Sequence, residues 1–230
     1  MLFRSTLDVT DPNAVQDAID AGVQRFGRLD VVVNNAGYGD VASVEDVTHD
    51  DFRAQIDANF YGTYYVSKAA VPILRQQGSG HIFQISSVGG RVGNAGLAAY
   101  QSAKFAVEGF SEVLAQEVAP FGVKVTLIEP GAMRTDWAGS SMTIPDISEP
   151  YQPTIGALAN MMRTFNGQQT GDPAKVAAAI VDVTRQPEPP LRLLMGADAY
   201  AIATKADLDR GRSDAQWREL TESIAYDTAL

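Results

Sequence analysis

Tyr100 and Lys104 stand four residues apart, and Ser87 comes thirteen residues before the tyrosine. Positions i and i+4 share one face of a helix, and a serine at a strand end can meet that face. The set supplies a phenol, an ammonium that lowers the phenol's pKa, and a hydroxyl that can hold a carbonyl oxygen. A free tyrosine titrates at about 10, too high for easy proton exchange near neutrality, and a nearby cation favours the phenolate. Together the three make a proton-transfer site suited to ketone and alcohol chemistry. Tyr-x-x-x-Lys alone is a weak signal, because i,i+4 pairs are common on solvated helices. The serine in register gives the pair its meaning.

The elements that must position these groups follow from periodicity and punctuation. A short strand is expected over residues 2–7. Thr10 or Asp11 caps a helix with Pro12 at its first position, and that helix runs to Phe26 and stops at Gly27. Residues 29–33 form a nearly continuous apolar run, the pattern of a strand buried on both faces, and 34–37 turn out of it. Thr48-His49-Asp50-Asp51 reads as a capping box with aspartate in the usual glutamate place. It opens a long helix to about residue 77, which Pro72 bends or whose last turns it marks. A strand at 81–86 leads through a glycine-rich loop into a helix over 98–118, ended by Pro120 and Gly122. A strand at 123–129 turns at Pro130-Gly131. Residues 133–170 form a long irregular segment. A helix from Asp172-Pro173 to about 185, a strand at 191–195 and a polar helical tail complete the chain. Strands alternating with such helices predict an α/β fold with a doubly wound parallel sheet. The chain reads as one domain over 1–230, with 133–170 as a lid and 206–230 as a tail.

Composition bounds the function. With 230 residues the chain can bury a full core. Eighteen basic residues against 28 acidic ones give a net charge of −10, which argues against a nucleic-acid partner. The absence of cysteine excludes disulfides, thiolate nucleophiles and cysteine zinc sites. His49 and His81 lie far apart without a ligand cluster, so no metal is expected. No apolar run approaches the ~20 residues of a membrane span, and the first residues lack a signal-peptide pattern. A cytoplasmic location follows by default.

Asn34-Asn35-Ala36-Gly37, Asn59, Ser87, Tyr100-Gln101-Ser102-Ala103-Lys104 and Pro130-Gly131-Ala132-Met133-Arg134-Thr135 resemble, in order and spacing, the motifs of the classical short-chain dehydrogenase/reductase family. The resemblance implies a Rossmann-like fold, NAD or NADP as cofactor, and hydride transfer between a ketone and a secondary alcohol. It implies catalytic roles for Asn59, Ser87, Tyr100 and Lys104. Lys104 would also bind the cofactor's ribose, and Asn59 would distort its helix and hold a water that relays protons to the lysine. On the residues alone, Asn59 is a poor helix former mid-helix, a local cost that often marks function, or else an asparagine facing solvent. Ser86 competes with Ser87.

The resemblance also places the adenosine-side ribose along Asn34, Ala36 and Gly37, where small residues admit close approach. The nicotinamide carboxamide would lie near Pro130, Gly131 and Thr135. Asp8 either lies near the adenine or caps a helix. The lid carries Met133, Trp137, Met142, Ile144, Tyr151, Met161, Met162 and Phe165. Methionines with aromatics suit an apolar substrate, unless the segment packs onto the core. A homodimer or homotetramer is implied, through helices 51–77 and 98–118.

One part of the pattern is missing. The family opens with a strand, Gly-x-x-x-Gly-x-Gly, a helix, a strand and a helix, a unit that cradles pyrophosphate on backbone N–H groups. About sixty residues would stand where six precede Leu7. The expectation is a chain truncated at its N-terminus by two strands and two helices. A misplaced coding start, a genuinely shortened gene, or a partner chain supplying the surface would each account for it. Residues 2–7 would then pair with 29–33, since an open edge there invites aggregation. The choice between NAD and NADP is read within the missing unit. The alternative to an active enzyme is a silent remnant serving as a binding or assembly module.

Overall fold

Asp11 accepts the amides of Asn13 and Ala14 on its carboxylate, and Pro12 fills the first helical position. Helix α1, Pro12–Phe26, therefore starts where its free N–H groups find a partner. It stops at Gly27, whose φ of 80° costs a glycine little. The computed structural model describes residues 3–226. Its sheet has the order β1-β2-β3-β4, all parallel: β1 Val31–Asn34, β2 Gly80–Ile85, β3 Val123–Pro130 and β4 Arg192–Met195. Helix α2 (His49–Ile56), a π turn (Asp57–Tyr61) and α3 (Gly62–Gln77) join β1 to β2. Helix α4 (Ala98–Val118) joins β2 to β3, and α5 (Ala157–Phe165) and α6 (Pro173–Thr184) join β3 to β4. Helices α7 (Ala197–Gln216) and α8 (Arg218–Glu222) follow. This is the parallel α/β arrangement that the alternation of elements implied and the Rossmann-like fold that the resemblance implied.

The core lies where α3 and α4 cover the sheet. Leu74 of α3 and Leu114 of α4 pack with Val32, Ile82 and Val125 from β1, β2 and β3. Burying side chains of this size contributes about 1.5–3 kcal/mol each. Along β2, consecutive residues His81, Ile82, Phe83 and Gln84 are all buried, as a central parallel strand requires. The buried amides of Asn34 and Gln84 match each other: Asn34 donates to Gln84 Oε1 at 2.7 Å and to Ser67 Oγ at 3.2 Å. No helix of the described residues is long and apolar enough to cross a membrane.

Three expectations are corrected. Residues 3–7 form no strand and pair with nothing in the sheet, and Leu2 lies outside the described residues. Phe3 instead packs edge-on against Phe26 of α1, with ring centroids 6.3 Å apart, so its apolar surface is turned to a helix end and not to the sheet. Second, β1 is not buried on both faces: Val31 is 39% and Val33 45% exposed, while Val32 and Asn34 are buried. It pairs with β2 alone, and its other sheet face carries no covering helix among the described residues. Third, the 133–170 segment is not wholly irregular. It contains α5, which begins without a side-chain cap and so gave no start signal. The helix forms because Leu158, Ala159 and Met162 pack against Val41, Leu97 and Ile155.

His81 is buried within β2, and its Nε2 lies 2.9 Å from Thr126 Oγ1. Thr126 gives its own proton to Pro190 O at 2.8 Å, so the imidazole is the donor to Thr126. Nδ1 is buried without a partner. Burial, with Lys124 nearby, lowers the pKa of His81 to about 4. The unfolded state takes up the proton first, near the ordinary value of about 6.5. Stability therefore falls as pH drops from about 6.5 to about 4 and levels below that range. Denaturant titrations of His81→Gln, which keeps a donor for Thr126, will show a shallower loss between pH 6.5 and 5 than the parent.

Candidate active site

β1, β2 and β3 end at a cavity of about 690 Å³ lined by residues that follow each strand: Asn35, Ser86 and Ser87, and Pro130 and Gly131. Helix α4 presents Tyr100 and Lys104 to it, and the π turn presents Asn59. The order of these groups in sequence becomes convergence in space because all the strands are parallel and leave the sheet at the same edge.

Tyr100 sits in the first turn of α4, buried, with its ring 5.0 Å from that of Trp137 and tilted by 54°. Ser87 caps the short turn at Val88–Gly90, accepting the Gly89 N–H at 3.0 Å, and its hydroxyl faces the Tyr100 phenol. Burial pushes the phenol up to about 12, and the nearby Ser87 hydroxyl offsets part of this. Lys104 is buried one turn on. It donates to Ile85 O at 2.7 Å, and its Nζ lies 5.6 Å from the centroid of the Tyr100 ring. Burial pulls the ammonium down to about 8, opposed by the charge of Glu108. The expected lowering of the phenol by the lysine is not found: burial raises the phenol and Ser87 is the group that lowers it, while the ammonium sits over the ring and bonds a backbone carbonyl.

Asn59 is wholly buried inside the π turn. Its Nδ2 donates to Tyr38 O and to Gln55 O, both at 2.8 Å. The amide thus takes a carbonyl one turn back and another from the loop after β1, which anchors the widened turn. Its Oδ1 is buried and finds no partner in the protein. A Cβ on Gly37 would strike that oxygen and lie 3.7 Å from Lys104 Nζ. Glycine at 37 therefore keeps a narrow space open between the loop, Asn59 and Lys104.

Other expected residues fall differently. Pro130, Gly131 and Thr135 line the cavity with Gly37. Asn34 and Ala36 do not: Asn34 faces Ser67 and Gln84 inside the fold, and Ala36 is exposed. Asp8 is exposed and far along the chain from these groups. Its carboxylate accepts the N–H and hydroxyl of Thr10, which hold it below the usual carboxylate range, while Asp11 is the helix cap. Ser86 lies beside Ser87 on the wall, its hydroxyl buried without a protein partner.

The lid divides in two. Met142, Ile144 and Tyr151 pack onto the Val41–Leu97–Ile155 cluster, whereas Met133, Met161 and Phe165 line the cavity. Trp137 and Met162 do both. A parallel bridge between Met133 and Gly171 closes the base of the lid. Hydrogen bonds from Thr143 N to Asp40 Oδ1 (2.7 Å) and from Tyr151 Oη to Glu45 Oε2 (2.8 Å) latch its far side. Among the described residues that line the cavity, only Lys104 is charged.

Comparisons with known proteins give the family. The family model for short chain dehydrogenase matches residues 2–143. Oxidoreductase BOA17 of Botryotinia fuckeliana is 58% identical over 224 residues, covering 97% of this chain and 82% of that protein. A crystal structure of a short-chain dehydrogenase from Streptomyces avermitilis superposes with a TM-score of 0.88 at 35% identity, covering 96% of this chain and 81% of that one. The structure of ElxO with NADP bound gives a TM-score of 0.68 at 28% identity, covering 86% and 77%. The chain belongs to the short-chain dehydrogenase family.

Gly39 is a residue that sequence reasoning missed. An added Cβ would fall 2.8 Å from the Trp137 ring and 3.1 Å from that of Tyr100. Gly39→Ala will therefore force the two rings apart and destabilise the fold by about 1–3 kcal/mol in urea titrations.

Proposed function

We propose that the chain is an NAD(P)-dependent oxidoreductase that interconverts an apolar ketone and its secondary alcohol. The observation that carries this reading is the meeting of Ser87, Tyr100 and Lys104 at the end of β2, within one largely apolar cavity. The chain's own residues fit the nicotinamide-riboside end of such a cofactor. Glycine at 37 leaves open a space that a Cβ would fill, and it is flanked by the unpartnered Asn59 Oδ1 and by Lys104 Nζ. Both are suited to ribose hydroxyls or to a water between them. NADP held by the neighbour ElxO supports the same choice. When bound, the cofactor supplies or accepts the hydride.

The chain's part is proton transfer. With its pKa held up to about 12, Tyr100 carries its proton at neutral pH and can give it to a ketone oxygen. Ser87, which faces the phenol, can hold that oxygen as charge develops. Lys104 stabilises the phenolate left behind, and the ring lies within reach of its charge. Asn59 stands where a water relay to Lys104 would pass. Met133, Met161, Met162 and Phe165 exclude water and favour alkyl or aryl groups on the substrate over charged ones. Tyr61, Phe105 and Val113 stand exposed on the π turn and α4, and they support assembly through that face as a homodimer or homotetramer.

Tyr100→Phe will lower turnover of alkyl and aryl ketones with NADPH or NADH by about 10²–10⁴-fold without a matching loss of melting temperature. Retained turnover would refute the assignment. The pH profile carries a second expectation. Because burial lowers Lys104 to about 8, its ammonium is present below that pH and lost above it. kcat/KM for ketone reduction, which reports the free enzyme, will therefore bend downward above about pH 8.

A further inference from the structure

Asp198 stands in the first turn of α7, and its Oδ2 accepts the Ala132 N–H at 2.7 Å. Two glycines far apart in sequence make room for it. A Cβ on Gly131 would fall onto the carboxylate, and one on Gly196 would lie 2.5 Å from Oδ1. Gly196 also holds a φ of 117°, which turns the chain from β4 directly into α7. The N–H of Gly131 goes to Met195 O at 3.0 Å. The turn that leaves β3 is thus pinned by the end of β4 and by one carboxylate.

Gly131 and Ala132 both line the cavity. Because the peptide between them is planar and trans, fixing the Ala132 N–H also fixes the Gly131 carbonyl on the opposite side. The same helix also holds the loop that follows β2. Asp207 accepts from Arg91 Nη1 at 3.2 Å, and Arg210 donates to Arg91 O at 2.7 Å. Arg91 follows the turn that Ser87 caps, and its Nε reaches the buried Glu129 at 2.9 Å.

We propose that Asp198 is a positioning residue: its carboxylate sets the peptide plane of the 130–133 turn, against which the nicotinamide end of the cofactor lies. Loss of that one acceptor weakens cofactor binding and leaves the proton-transfer groups in place. The claim rests on the NAD(P) reading above. An acidic residue in a first helical turn also favours the helix dipole. Asparagine keeps an acceptor and drops the charge, so it separates the two roles.

The test uses the full chain with Asp198→Ala and Asp198→Asn. Amide hydrogen exchange is measured without cofactor, and steady-state kinetics with NADPH and an alkyl ketone. In the alanine variant, amides of 131–134 will exchange at least about tenfold faster, with β2 and α4 unchanged. Its KM for NADPH will rise about tenfold while kcat stays within about threefold of the parent. The asparagine variant will recover both to within about threefold. Unchanged exchange in the alanine variant overturns the proposal. So does faster exchange with an unchanged KM, or a fall in kcat as large as the rise in KM. A parent chain that turns over with neither NADPH nor NADH defeats the cofactor reading itself, and exchange at the turn then decides the positioning claim.

Discussion

Desolvation of two ionisable groups on one helix governs this site. Tyr100 and Lys104 are both buried, and burial moves their pKa values in opposite directions, to about 12 and about 8. Each shift disfavours the charged form. A phenol that keeps its proton and an ammonium near its titration point suit proton delivery to a carbonyl oxygen. The Ile85 carbonyl holds the lysine, and the Ser87 hydroxyl faces the phenol. Both come from the end of β2, so the position of that strand sets the geometry of the pair.

Much of the remaining structure keeps this arrangement dry and fixed. Glycines at 37 and 39 let the loop after β1 approach Asn59, Tyr100 and Trp137 more closely than any side chain would permit. The π turn leaves one amide oxygen of Asn59 buried and without a protein partner beside that loop, a local cost to the fold. The lid uses some apolar residues to fasten itself to the Val41–Leu97–Ile155 cluster and others to face the cavity. A folded lid thereby presents an apolar wall without charged groups.

The sequence made the central elements legible because their signals are local. Pro12 and Gly27 bounded α1, and Thr48 began α2. Helix α4 was read at its observed bounds because small and apolar residues repeat with helical spacing to Pro120. The group Asn59, Ser87, Tyr100 and Lys104 was readable from order and spacing. What failed depended on contacts between distant residues. The apolar run at 29–33 does not reveal that one of its faces lacks a covering helix. Phe3 reads as strand, yet it pairs with Phe26. Asn34 lies in a cofactor-like motif but turns into the fold toward Gln84. Asp198 carried no signal at all, because its meaning comes from Gly131, which lies far back in the chain.

The account depends most on the state of the Tyr100 phenol. It can be read directly by ultraviolet difference titration of the parent chain against Tyr100→Phe, with and without oxidised cofactor. The account predicts that the phenol missing from the variant titrates near 12 in the free chain, and lower once the positive nicotinamide lies beside it. A phenol titrating at the ordinary value of about 10 and unmoved by cofactor would contradict it.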